Sequence, residues 1–271
     1  MQELLDHPAV QAGLAPFVLA LVTALLLRRL RLSGLAVVAG FALTAYLVSG
    51  FALEPLTATR KLVWIGLAAG LLAMPLTLMK GLFWRPLIAV FAAAAAVWMS
   101  ARILQQQPTL QALQWGLGGA LYVAWLVYWM DDLQSSAVRA GSAGLALGLG
   151  TGAAALIGAS ALLGQYGLAL GAAAAAYLLI LILSKSLLPC GRSFTLPIAL
   201  IAGLVGWLAV LTAQLPWHAL PMLAAIPLAG RVPVSGKLAV WLQSVLLSAA
   251  TLTCAAGAVY LSWRSNGALP L

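Results

Sequence analysis

The feature that most limits this chain is the spacing of its charges. From Ala140 to Ser184 there is no charged side chain at all. A membrane helix needs roughly 20 apolar residues, so this stretch is too long for one span and long enough for two. Similar uncharged stretches recur before it: 8–27, closed by Arg28-Arg29-Leu30-Arg31; 32–53, closed by Glu54; 62–79, closed by Lys80; 86–101, between Arg85 and Arg102; and 110–130, closed by Asp131-Asp132. Two more follow, at 194–213 and 238–262.

A soluble domain carries about 25% charged residues. This chain has 7% charged and 64% hydrophobic residues, too few charges to cover a surface that faces water. Disorder is excluded as well, because it requires low hydrophobicity. The expectation is an all-α, polytopic integral membrane bundle forming a single membrane domain over 1–271, with the lipid bilayer as its partner. The formal charge of +9 would suggest nucleic acid in a soluble chain, but here the basic residues read as topology signals, and no nucleic-acid partner is expected.

The first span follows an acidic start (Glu3, Asp6) and precedes a basic cluster, the reverse of a cleaved signal peptide. It reads as a retained helix with its N-terminus outside. In the long uncharged stretch, Gly164-Gln165-Tyr166-Gly167 is the expected break, giving spans at 140–163 and 167–186. Residues 215–230 are apolar but hold Pro216, Pro221 and Pro227, and proline removes a helix hydrogen bond. That segment is either a broken span or a re-entrant hairpin, so the total is about ten spans, or nine plus one proline-broken segment. With ten, ten basic residues fall inside (Arg28, Arg29, Arg31, Lys80, Arg85, Arg139, Lys185, Arg192, Arg231, Lys237) and four outside (Arg60, Lys61, Arg102, Arg264). With nine, the split is nine to five. Positive-inside bias favours ten, with the C-terminus also outside. Compact loops and the lack of a eukaryotic-style targeting signal point to a bacterial inner membrane.

Ten spans divide into halves 1–135 and 136–271, and an odd number per half would make a five-plus-five inverted repeat. Trp84 and Trp217 open the fourth span of each half, and Trp129 and Trp263 close the fifth. The fourth span is also the shortest in each half, and interrupted segments at matching positions point to a transporter's binding region. The competing explanation is that tryptophan gathers at membrane interfaces in any bundle.

Several constellations carry a functional reading beside a plainer one. Gly144, Gly148 and Gly152 lie four apart, as do Gly167, Gly171 and Ala175; such stripes let helix backbones approach, and packing is the expected role. The run Gly148-Leu149-Gly150-Thr151-Gly152 imitates a nucleotide loop but lacks the strand that such a loop follows. On the fifth span Trp115, Tyr122, Trp125 and Trp129 fall within a sector of about 80° at about 100° per residue, with Gln111 and Gln114 near that face. This is either an aromatic-lined substrate path or packing plus an interface belt. Asp131 and Asp132 sit where water is expected to begin, as a solvated pair or, less economically, a proton-coupling site. His7 and His218 fall on the outer side, and His218 either caps the broken segment, senses pH, or is a plain interfacial histidine.

Enzymatic chemistry has little to work with. HExxH, GxSxG and paired intramembrane aspartates are all missing, so no catalytic residue is assigned and the chain is expected not to be an enzyme. Two histidines and two cysteines, Cys190 and Cys254, give no metal or haem spacing; no metal site or cofactor is expected, and both thiols are expected to be free. The leading functional reading is a small permease or exporter for a neutral or amphipathic substrate, bound at the midplane between helices 4–5 and 9–10. Its path residues would be Gln111, Trp115, Tyr122, Trp125, His218 and Pro221. Thr151, Ser160, Thr195, Thr212, Ser244, Ser248 and Thr251 could add hydroxyl contacts. The rival is a non-catalytic subunit or scaffold of a larger membrane complex, assembling with another membrane protein or with itself.

Overall fold

A computed structural model describes residues 7–27, 32–79, 81, 83–184 and 190–266. Glu3, Asp6, Arg28, Arg29, Arg31, Lys80 and Lys185, used above for topology, lie outside the described residues. Ten helices occur among those described: α1 (Val10–Leu27, opening on a π-helical turn), α2 (Ser33–Ser49), α3 (Ala58–Leu78), α4 (Trp84–Leu104), α5 (Thr109–Asp132), α6 (Ala137–Ile157), α7 (Ala161–Ser184), α8 (Arg192–Thr212), α9 (Ala219–Ala229) and α10 (Val240–Asn266). The reason for helix throughout is elementary: lipid offers no hydrogen bonds, so each apolar segment must satisfy its own backbone. The molecule is a helical membrane bundle. Seven helices are long and apolar enough to cross a membrane: α1, α3, α4, α6, α7, α8 and α10. The helices α2 and α9 are apolar but shorter, and α5, which carries Gln111, Gln114 and two aspartates, is 24 residues long but not among the seven.

Side-chain and backbone bonds order the helix ends. At one end, here called the Gln105 end, Lys61 Nζ donates to the Trp98 carbonyl (2.9 Å), Ser49 pairs with Tyr166 (2.7 Å), Gln214 N donates to Gly158 O (2.8 Å) and Asn266 Nδ2 donates to Ile157 O and Gln214 O. At the other, the Asp131 end, Arg192 reaches the carbonyls of Leu76 and Met79, Arg139 reaches those of Gly230 and Val232, and Gly34 lies against Phe194. Successive helices therefore alternate in direction. Residues 214–231 start at the first end and finish at the second, although α9 itself, at about 1.5 Å per residue, is only about 16 Å long. The non-helical residues before Ala219 and after Ala229, which include a turn on each side, supply the rest of the length.

The helix α8 is the core. It is packed against α2, α3, α4, α5, α6 and α7, and it contributes Trp207 and Phe194, two of the largest fully buried side chains. The glycine stripes sit in the α6–α7 contact: a Cβ on Gly148 would strike the backbone of Gly171, and one on Gly152 or Gly167 would strike the other helix's backbone. Gly144 instead faces α8, beside Ile198 and Phe194.

Two expectations need correction. The α6–α7 turn lies at Gly158-Ala159-Ser160, with Ala159 at φ 64°, and Gly164-Gln165-Tyr166-Gly167 is helical, because Gly164 and Gly167 are needed where α6 packs closely. The fourth helix is not short. It extends from Trp84 through Arg102 to Leu104, since both arginines find places at its ends, and the shortest helix of the first half is α2. Between the two halves, α1–α2 and α6–α7 both pack closely, as do α4–α5 and α9–α10; α6 also packs closely on α10, and α1 does not on α5.

Candidate functional site: a cavity between α5, α8 and α9

The helices α8 and α9 do not pack closely on each other, and a cavity of about 670 Å³ opens between them against α5. It is lined by Gln111, Gln114, Trp115, Gly118 and Tyr122 of α5, Trp207 of α8, Trp217 just before α9, and Leu220, Pro221 and Ala224 of α9. Its size lies within the range of sites for small organic ligands. Gln111 and Gln114 are exposed at the Gln105 end, and Tyr122, about three turns further along α5, is buried in mid-bundle.

Local sequence explains the shape. A Cβ on Gly119 would overlap the Trp207 indole, so this glycine lets the ring lie flat against α5, where it meets Trp115 at 6.0 Å between centroids. A Cβ on the neighbouring Gly118 would meet nothing, because it projects into the cavity. Pro221 lies in the first turn of α9 and Pro227 in its last, each without the N–H that a helix bond needs, and turns flank the helix at both ends. At the inner wall, the Tyr122 hydroxyl and the Trp207 indole N–H have no hydrogen-bond partner among the described residues, nor does the Thr151 hydroxyl. Both the Tyr122 hydroxyl and the Thr151 methyl lie beside Gly206 of α8.

Of the residues picked from sequence, Gln111, Trp115, Tyr122 and Pro221 come together in the lining. Trp125 lies next to it, and its Nε1 donates to the Ala224 carbonyl (3.0 Å). His218 is not in the wall; its ring faces Ser265 (3.2 Å) and the edge of Trp217. The cavity lies between α5, α8 and α9, where the sequence placed it between helices 4–5 and 9–10. Of the hydroxyls proposed as contacts, six are engaged with neighbours: Thr195, Thr212 and Ser244 with carbonyls one turn back, Ser160 with Leu163 N, and Ser248 and Thr251 with Ser142. Lipid leaves a hydroxyl no water, so the helix's own carbonyls capture it. Trp207, Trp217 and Gly118 were missed. The helix α8 is apolar all round, as a buried helix must be, so no periodicity marks Trp207.

The stripe on α5 continues past the cavity. Trp125 meets Trp129 edge to face at 5.4 Å, and the Arg231 guanidinium lies 4.4 Å above the Trp129 ring. There the solvated-acid expectation fails. Asp131 is 3% exposed and Arg192 2%. Arg192 Nε donates to Asp131 Oδ1 (2.8 Å) and its second amino group to Oδ2 (3.3 Å), while the first caps α3 through Leu76 O (3.0 Å) and Met79 O (2.6 Å). Gly191, at φ 67°, takes the left-handed turn that aims Arg192 inward. Arg85 Nε lies 3.4 Å from Asp131, and Arg85 and Arg231 both pair with Asp132. Sequence shows each of these charges at a helix end but not which helix ends meet.

No family model matches the chain, and neither a known protein nor a solved structure was found to be similar to it.

Proposed function

We propose that the protein is a carrier for small, neutral, flat amphipathic solutes, and that the α5–α8–α9 cavity is its binding site. The observation that carries this reading is the chemistry of the wall: three indoles and a tyrosine, two carboxamides at the mouth, and no side chain charged at neutral pH in the lining. The aromatic faces and Pro221 suit a planar apolar body. A charged solute would lose its hydration there without a counter-ion, which costs several kcal/mol at least. The unpartnered Trp207 N–H can only donate, so a solute with a hydrogen-bond acceptor suits the inner wall better than a pure hydrocarbon. The alternating helix ends support ten crossings, α5 and the α9 segment included, with the Asp131 end inside as the basic residues suggest. An inverted five-plus-five relation draws support from the α1–α2/α6–α7 and α4–α5/α9–α10 pairs, and the proposal does not depend on it.

The test is a fluorescence titration of the purified protein with 1-naphthamide, naphthalene-1-carboxylate and 1-naphthylmethylammonium, followed by flux of the amide into proteoliposomes. The amide should quench the cavity tryptophans at concentrations about tenfold lower than either ion. Gly118→Trp, which fills the void, should abolish quenching and flux together. Equal affinity for all three probes, or unchanged flux in Gly118→Trp, would overturn the reading.

A further inference from the structure

The cavity opens toward the Gln105 end, and at the Asp131 end the same two helices, α5 and α9, are tied by charge. Asp132 on α5 pairs with Arg231, the second residue after α9, and with Arg85 at the start of α4. Arg139 of α6 donates to Gly230 O (3.1 Å) and Val232 O (3.0 Å), holding the carbonyls that end α9. We infer that this cluster is a releasable gate on the α9 side, with Asp131–Arg192 as its fixed post; the inference rests on the carrier reading above.

The two aspartates' ion pairs differ in exposure. Arg192 and Asp131 are buried, bidentate and fully partnered, so separating them would strand a charge in a dry interior. Arg231 keeps 40% of its side chain in the open and Asp132 21%, so water can take over when they part, and such pairs separate at little cost. The arrangement of α9 suits movement. It packs mainly on α10, lightly on α5 and α6, and is separated from α8 by the cavity. One short helix thus carries Leu220, Pro221 and Ala224 in the site and ends in the gate residue, with the Trp125–Ala224 hydrogen bond between the two. A solute that draws α9 toward α8 strains the Arg231–Asp132 pair directly. Opening there, with closure around the solute at the Gln105 end, gives the cavity access to the second side.

The experiment uses the full chain with Cys190 and Cys254 replaced by alanine and a cysteine introduced by Gly118→Cys. An impermeant maleimide is applied to right-side-out and inside-out vesicles. In the parent, labelling should come from one side only. In Asp132→Asn, labelling from the opposite side should rise about tenfold while labelling from the first side falls, because the two accesses share one equilibrium. Asp132→Glu, which keeps a carboxylate for both Arg85 and Arg231, should keep the parent pattern. A rise from both sides would mean loosened structure and would overturn the gate, as would no change in Asp132→Asn. If the parent is labelled from neither side, the cavity itself is refuted, and with it the carrier reading.

Discussion

Asp131 and Asp132 are consecutive residues on one helix, and they do different work. Asp131 points into the bundle and fixes α8 through a bidentate arginine that also caps α3. Asp132, about 100° further round, faces α4 and α9 and holds arginines that water reaches. More than three turns back along α5 a similar division recurs in the glycines: Gly119 is pressed against Trp207, and Gly118 borders empty space. The lesson is that α5 has a load-carrying side toward α8 and a yielding side toward α9, and the cavity lies along the seam. Identical residue types therefore behave differently according to the side they face.

The sharpest way to break this comparison is to remove one acid at a time. Asp131→Ala leaves Arg192 charged, buried and without its carboxylate, which costs about 3–5 kcal/mol. The expected outcome is loss of the monodisperse peak, or a large drop in melting temperature, in mild detergent. Asp132→Ala should cost no more than about 1 kcal/mol per pair and leave a folded protein. If the two melt alike, the two sides are not different. Next in size, Gly119→Ala drives a methyl into the Trp207 indole, and overpacking of this kind costs about 1–3 kcal/mol. Gly118→Ala should be neutral or slightly stabilising, since helices prefer alanine and nothing opposes the methyl. The same thermal melts decide it. Trp125→Phe should cost about 0.5–1.5 kcal/mol for the lost bond to Ala224 O, with its effect concentrated on ligand affinity, because that bond holds α9 rather than the core.

Much of this seam can be read from residue spacing, and some of it cannot. Trp115 and Tyr122 are seven apart, so a helix places them on one face without any knowledge of neighbours. Pro221 stands out because proline in an apolar segment needs a structural reason. Gly164 and Gly167 mislead, because glycine marks both turns and tight helix contacts, and only the position of α6 tells them apart. Arg192 is the harder lesson. At the start of an apolar helix an arginine looks like a topology signal, and its partners lie on α3 and α5, more than 60 residues away in sequence on the α5 side. Long-range pairing of charges leaves no periodic trace, so the charge cluster cannot be read from the sequence, whereas the α5 part of the cavity wall, Trp115 and Tyr122, can.

Cys190 offers the finest test, because it reports on the rigid side without altering it. It sits beside Gly191 in the turn before α8, 3% exposed, with its thiol donating to Gln134 O (3.4 Å). Burial pushes the thiol up to about 12, and the nearby Asp131 carboxylate pushes in the same direction. The thiolate is the species that reacts, so at pH 8 alkylation should run about a thousandfold below that of an exposed thiol. Raising the pH to 9 should increase the rate about tenfold without a plateau, since the group is still far below half-ionised. The gate inference adds a condition. If only the α9 side yields during transport, a neutral solute at saturating concentration should leave the Cys190 rate unchanged. Should turnover accelerate it, α8 moves too, and the division of α5 into a rigid and a yielding side does not survive.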